Sequence, residues 1–317
     1  NLPLPPIMHG TGLLSAVGAM SSGGTCVTLP SRSFEPELAL ANIDAHKVTS
    51  VTIVGDAFAR PLLDSLNDNP QKYDISSIYA ISSSGVMWTR DIKAGLLKHN
   101  VNMLLIDKFS SSEAIGLGTS IMTSDEDIDV AKFALGPACK VFNEAGIELH
   151  PGADEPGMVA VTGFLPTGYY KDQEKTDKVF RVFDGVRYSV PGDWVQIEDD
   201  GSLTLLGRGS NCINTAGEKV FPEEVEEALK IHTAVVDALV FGMTDPKWGQ
   251  VITAVVQLET GFELDEVEIH EFTRQCLASY KIPKHIFAKD DLNRAANGKA
   301  DYKAMQAFAE SKLTQGH

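Results

Sequence analysis

The chain has 317 residues, with 27 Lys and Arg against 43 Asp and Glu, for a net charge of −16. Such a length buries a substantial core and predicts two or more domains, and an acidic balance with no long basic run excludes a nucleic-acid-binding surface as the main function. Four cysteines, Cys26, Cys139, Cys212 and Cys276, form no CxxC pair and no disulfide framework, and the histidines show no HExxH spacing; a reduced, cytoplasmic protein without a dedicated transition-metal site fits best.

From Asn1 to Ser31 there is no Lys, Arg, Asp or Glu. Pro3, Pro5, Pro6 and many Gly, Ser and Thr break the run, so it is neither an apolar span of about 20 residues nor a signal peptide with a basic start. It predicts a buried helix followed by a strand at "GGTCVTLP". Residues 36–110 alternate helix and strand signals. "HKVTSVTIV" predicts a helix end and a β-branched strand, "DAFARPLLDSL" a helix with Pro61 at its start or kink, and "SSIYAISSS" a second strand. Thr89 is a candidate cap for "RDIKAGLLKHN", with Ile92, Leu96 and Leu97 on one face. "VNMLLIDKF" predicts a third strand. This alternation predicts a parallel sheet covered by helices, with ligands at the strand ends.

From about Gly136 to Gly207 the pattern turns to short strands: "GMVAVTGF", "KVFRVF", "VRYSVPG", "DWVQIE" and "SLTLLG". Asp199-Asp200-Gly201 reads as a hairpin turn. After Arg208, Pro222 followed by Glu223 and Glu224 predicts a helix start. An apolar stretch, "AVVDALVFGM", the strand "VITAVVQLE", a helix from Asp265 to Tyr280 and a last helix from about Asp301 to Leu313 complete a small α/β unit.

Three stretches carry candidate chemistry. "IDKFSSSEAIGLG" places hydroxyls and the Glu113 carboxylate where a strand ends; hydroxyls hold phosphate or carboxylate oxygens, a carboxylate holds Mg²⁺, and Phe109 can stack on a base. The same residues also suit an ordinary polar turn with a solvated Glu. In "RYSVPGDWVQIEDDGSLTLLGRGS", Asp193 and Arg208 can share the hydroxyls of a ribose, or merely cap a turn and pair with a surface acid. In "LNRAANGKADYKAM", Lys299 follows Asn297 and Gly298, a setting in which a flexible stem delivers a cation, or in which a surface lysine stands. Gly116-x-Gly118 alone is too short for a dinucleotide signature.

Taken in order, "PPIMHGTG", "FSSSE", "GMVAVTGFLPTGYYKDQEKT", "YSVPGDW", "GRGSNCINTAGEKVFPEEVE" and "NGKADY" resemble the spread motifs of the adenylate-forming superfamily, which includes acyl-CoA synthetases, luciferases and peptide-synthetase adenylation domains. "VGDAFARPLLDSL", "LLGRGSNCIN" and "GKADY" resemble bacterial acyl-CoA ligases of long-chain or steroid side-chain acids. The resemblance implies a multidomain α/β and α+β fold. Residues 1–135 would be the C-terminal part of an α/β adenylation core, 136–207 its β-rich subdomain, 208–211 a hinge, and 212–317 a small mobile C-terminal domain.

The resemblance also implies a two-step reaction: a carboxylic acid and ATP give acyl-AMP and pyrophosphate, and CoA then takes the acyl group. By position, Phe109 would lie against adenine, Ser112 would hold the α-phosphate or the acyl carboxylate, and Glu113 would bind Mg²⁺. Asp193 and Arg208 would grip the ribose, Ser210 would be the pivot and Gly217 would approach the CoA arm. Lys299 would bridge carboxylate and α-phosphate. His9, Gly85 and Val86 would line the acyl pocket, with Gly85 also beside adenine. The implied partners are the acid, ATP and CoA, with no nucleic acid and no transmembrane segment; peripheral membrane contact and oligomeric state stay open.

Against the family pattern, Ser110 and Ala216 replace glycines and Ser210 replaces a hinge Asp or Lys. An Ala that needs φ > 0 at 216 would be strained. The family's phosphate loop would precede Asn1, so an N-terminally truncated fragment that is inactive alone is the expectation. An acyl-AMP ligase that loads a carrier without CoA, or a catalytically dead nucleotide-binding module, are the alternatives.

Overall fold

A computed structural model describes residues 1–31, 33–86, 88–124, 132–294 and 300–315. The chain divides into two units. The first takes Asn1–Pro191 and Val195–Leu205; the second takes Gly192–Trp194 and most of the chain from Leu206 onward.

The first unit is built on a sheet that changes direction partway across. Strands Leu2–Pro3, Ser50–Ile53, Ala80–Ser84 and Leu104–Phe109 pair in parallel, in that order. Their β-branched and apolar residues suit a sheet buried under helices, here Pro36–His46, Asp56–Asp68 and Arg90–His99. Val51, Ile53, Phe58, Leu62, Leu96 and Leu105 fill this core. The helix Asp56–Asp68 continues through Pro61. Thr89 occupies the cap position in extended conformation but makes no side-chain cap bond; instead its amide donates to Asp56 at 3.0 Å. The Arg90–His99 helix also buries Lys93, which pairs with Asp107 under the Trp88 ring.

Beyond Leu104–Phe109 the sheet turns antiparallel. Gly118–Met122 pairs back on it, with Phe109 opposite Gly118, and Lys132–Leu135, Ser202–Arg208, Asp193–Ile197, Gly157–Val161, Val186–Ser189 and Phe180–Phe183 follow in sheet order. A second core of Phe109, Leu117, Phe133, Val159, Val195 and Leu203 lies here. The turn at Asp199-Asp200-Gly201 forms, with Asp200 accepting from the Ser202 amide at 2.8 Å.

The N-terminal expectation needs correction. A helix forms at Gly10–Ser21, but only Gly12 and Ala16 are buried, and Leu13, Leu14, Val17 and Met20 are exposed. "GGTCVTLP" is not a strand; its backbone instead meets Asn1 through the Val27 amide at 2.9 Å. Two glycines and a proline leave too few strand-forming residues to extend a ladder.

In the second unit, Val235–Asp245 and Gly249–Leu258 form a long antiparallel pair. The free edge of Gly249–Leu258 carries two partners: Ile213–Thr215, itself paired with Glu218–Val220, at Gly249, and His285–Ala288 in parallel at Thr253–Val256. Helices Pro222–Lys230 and Glu266–Cys276 bury Val225, Leu229 and Ile269 against the sheet, and Tyr302–Gln315 packs Met305 and Ala309 into a separate cluster with Phe241 and Leu292. The helix expected to reach Tyr280 ends at Cys276, with Leu277 already extended.

Candidate active site

The loop Ser110–Leu117 stands where the parallel half of the sheet meets the antiparallel half. It closes on itself: the Ser111 amide donates to the Ala114 carbonyl at 2.9 Å, the Ala114 amide donates back to Ser111 at 3.2 Å, and Ser110 Oγ accepts from the Gly116 amide at 3.0 Å. A glycine at 110 could not make that last bond, so the serine substitutes a side-chain brace for backbone freedom. Ser112 is left exposed on the turn. The first turn of the Gly10–Ser21 helix comes up to it, since a Cβ on Gly10 would lie 3.4 Å from Ser112 Oγ. That helix turn holds no acidic residue. Free amides at a helix start beside a hydroxyl suit an anion. His9 is the residue that enters this helix.

Glu113 is half-buried and accepts a 2.5 Å hydrogen bond from Tyr169 Oη. Tyr169 is fixed in turn, because its amide donates to Thr176 Oγ1 at 2.8 Å, and the Thr176 hydroxyl donates to the Asp172 carbonyl at 2.7 Å. Sequence reasoning did not single out Tyr169, although the Gly-Tyr and Thr of "GYYKDQEKT" were the available signal. One carboxylate held in place, with nearby hydroxyls, matches what Mg²⁺ takes from a protein when phosphate oxygens and waters supply the rest. Among the described residues no group of three or more His, Cys, Asp or Glu could hold a metal by itself.

Gly85 and Val86 follow the strand Ala80–Ser84, whose end pairs with Leu104–Phe109 through Ser84 and Lys108. They therefore share one sheet edge with the Ser110–Leu117 loop. Phe109 is 8 % exposed and packs against Phe133, with centroids 5.6 Å apart. Its ring is part of the core, and only its rim is left for a base.

Asp193 and Arg208 meet in the second unit. Asp193 is buried, and its Oδ1 accepts from Arg208 Nε at 3.1 Å. The Arg208 side chain is 53 % exposed, so the pair presents one seated carboxylate and one reaching guanidinium. Ser210 is exposed in a short helical turn, Gly209–Asn211, with its hydroxyl on Asn211 at 3.4 Å. Ala216 and Gly217 form the two-residue turn between the flanking strands, with φ of 52° and 92°. Those values match a type I′ turn, so Ala216 has the left-handed backbone that its family position implied. Lys299 lies outside the described residues.

Two carboxylates are seated inside the second unit, Glu223, which sequence reasoning left as a helix-start charge, and Glu226, which it did not single out. Glu223 accepts from the Arg208 amide at 3.5 Å, and burial pushes its carboxyl up. Glu226 is 7 % exposed and accepts from the Val240 amide at 2.9 Å and from Tyr302 Oη at 3.0 Å; burial pushes its carboxyl up to about 8. Only the fold reveals them, because "PEEVEEALK" contains four Glu that a helical pattern alone cannot rank.

The AMP-binding enzyme C-terminal domain family matches residues 224–299. A medium/long-chain fatty acid and 3-oxocholest-4-en-26-oate CoA ligase of Mycobacterium tuberculosis is 39 % identical over 98 % of this chain and 56 % of its own length. A 3-oxocholest-4-en-26-oate CoA ligase of Rhodococcus rhodochrous is 39 % identical over 95 % of this chain and 55 % of its own. The chain thus spans a little over half the length of these curated relatives. Among solved structures, the amide bond synthetase McbA of Marinactinospora thermotolerans superposes with a TM-score of 0.83 at 23 % identity, over 97 % of this chain and 61 % of its own. ATP-bound MatB of Rhodopseudomonas palustris superposes with a TM-score of 0.81 at 25 % identity, over 98 % of this chain and 60 % of its own.

Proposed function

We propose that the chain belongs to the adenylate-forming superfamily and that the complete protein is an ATP-dependent acyl-CoA ligase acting on a fatty acid or a steroid side-chain carboxylic acid. The observation that carries this reading is the 39 % identity, over 98 % of the chain, to a relative named for both substrate classes. ATP and CoA are the co-substrates. A cytoplasmic setting fits four cysteines that are all free; no helix among the described residues is long and apolar enough to cross a membrane.

In the first step the acid's carboxylate attacks the α-phosphorus of ATP and pyrophosphate leaves. Ser112 and the start of the Gly10–Ser21 helix receive the phosphate or carboxylate oxygens. Mg²⁺, held by Glu113, would offset phosphate charge, and Tyr169 keeps Glu113 oriented toward it. Asp193 accepts from the ribose hydroxyls and Arg208 donates to them. The reacting groups are both anionic, so a cation must stand between them, and Lys299 takes that role. At about 4 Å and an effective dielectric near 20, one such charge pair is worth about 4 kcal/mol. In the second step the CoA thiol attacks the acyl carbonyl and AMP leaves, with Gly217 beside the CoA arm. A lysine needed only in the first step is best carried by a part that can move away, with Ser210 at the pivot.

The test is to assay pyrophosphate release and CoA thioester formation separately in the complete protein, with a medium- or long-chain fatty acid and with 3-oxocholest-4-en-26-oate. Lys299→Ala is expected to slow adenylate formation by about 10²–10³, while thioester formation from supplied acyl-AMP continues. Adenylate formation with no thioester in the presence of CoA would overturn the CoA-ligase reading in favour of a carrier-loading enzyme.

A further inference from the structure

The pivot stretch is gripped at two glycines. A Cβ on Gly209 would lie 2.5 Å from Trp194 Nε1, and a Cβ on Gly207 would lie 2.2 Å from Glu223 Oε2. No side chain other than hydrogen fits at either place without displacing a neighbour. Glu223 stands in the first turn of the Pro222–Lys230 helix, whose cap residue, Phe221, provides no side-chain bond. Its Oε1 accepts from the Arg208 amide at 3.5 Å. Its Oε2 is buried with no hydrogen-bond partner among the described residues. One carboxylate thus ties the helix start to the Gly207–Arg208 backbone that leads into the Arg208–Asn211 turn. It does so where Ser210, the nominal pivot residue, offers only an exposed hydroxyl. Asp193 accepts from Arg208 Nε and Glu223 from the Arg208 amide, so both carboxylates meet the same arginine.

We propose that Glu223 is a positioning residue for ribose recognition: by holding the Gly207–Arg208 backbone it aims the Arg208 guanidinium, jointly with Asp193, at the nucleotide hydroxyls. This rests on the reading that Asp193 and Arg208 grip the ribose. Glu223 itself touches no substrate and acts through Arg208. The position of its acceptor, rather than its charge, is what matters, because the donor it meets is a backbone amide.

The experiment is calorimetric titration of this chain with AMP and with 2′,3′-dideoxy-AMP, which lacks the diol. The wild-type chain is expected to prefer AMP by at least about tenfold. Glu223→Ala, and Glu223→Asp, which draws the carboxylate back by one carbon, are expected to reduce that preference about fivefold while binding of the dideoxy nucleotide stays within twofold. Glu223→Gln keeps an acceptor at the same place and is expected to retain the preference. A wild-type chain that binds both nucleotides equally would overturn the ribose reading itself. A wild-type preference that survives intact in Glu223→Asp, or that is lost in Glu223→Gln, would overturn the role of Glu223 alone. A loss shared equally by both nucleotides marks a general folding defect and also overturns it. The Asp and Gln variants decide the matter even if Glu223→Ala does not fold.

Discussion

Replacing Glu226 by Gln should remove a pH dependence from the second unit. The Glu226 side chain has no aqueous contact to speak of, and its carboxyl is raised from 4.5 to about 8, first by burial and then by the nearby Glu223. The Val240 amide, which donates at 2.9 Å, along with Lys230 and Arg294, pulls the other way without prevailing. Tyr302 Oη also donates to the same oxygen, at 3.0 Å. Between pH 4.5 and 8 the folded chain therefore keeps a proton that the unfolded chain has released. With more protons bound in the folded state, stability falls as pH rises through this window, and is level below and above it. At 1.36 kcal/mol for each factor of ten in proton affinity, the loss is on the order of 4 kcal/mol. Gln has nearly the same shape, retains the acceptor for Val240 and Tyr302, and has no proton to lose. The variant should match the wild type at pH 5 and exceed it by several kcal/mol at pH 8.5. Hydrogen exchange in urea, read at Val235–Asp245 and Gly249–Leu258 and corrected for intrinsic rates, reports this unit separately from the rest of the chain. A wild-type opening free energy that is flat between pH 5 and 8, or an equal slope in Glu226→Gln, would refute the reasoning.

Two further outcomes follow from single contacts. Ala216→Gly relieves a left-handed alanine, worth about 1–2 kcal/mol, against about 0.5–1 kcal/mol of added chain entropy; a net gain of about 0.5–1 kcal/mol should appear as slower exchange in Ile213–Thr215 and Glu218–Val220, and a loss would mean that φ of 52° costs nothing here. Tyr169→Phe deletes the 2.5 Å bond to Glu113. If Glu113 holds Mg²⁺ as proposed, the Mg²⁺ concentration for half-maximal adenylate formation by the complete protein should rise about tenfold, whereas an unchanged requirement would separate Tyr169 from that role.

Much of the fold was legible because its signals are local. The β-branched runs at Ser50–Ile53 and Gly249–Leu258 and the Pro-Glu-Glu start at Pro222 each specify an element within a few residues. The Gly10–Ser21 helix was legible too, but its burial was not: absence of charge reads as burial, whereas Leu13 and Leu14 are nearly half exposed. Within the candidate site, Ser112 and Glu113 could be named because they share one turn. Tyr169 stood in a quoted motif, but its bond to Glu113 across 56 residues could not be read, and Glu226 could not be ranked, since its partners Val240 and Tyr302 come from two other elements. Phe109 could be named from its type as a ring for a base, but its packing on Phe133 could not, since that partner comes from another strand.

The turn between Leu104–Phe109 and Gly118–Met122 is pinned by a paired rung at either foot, Phe109 to Gly118, and by its own internal amide bonds. A one-residue slip of Gly118–Met122 against Leu104–Phe109 would turn every side chain of that strand to the opposite face of the ladder. Variation in this turn is therefore held to changes that keep that register, which exchanging residues within it does most simply.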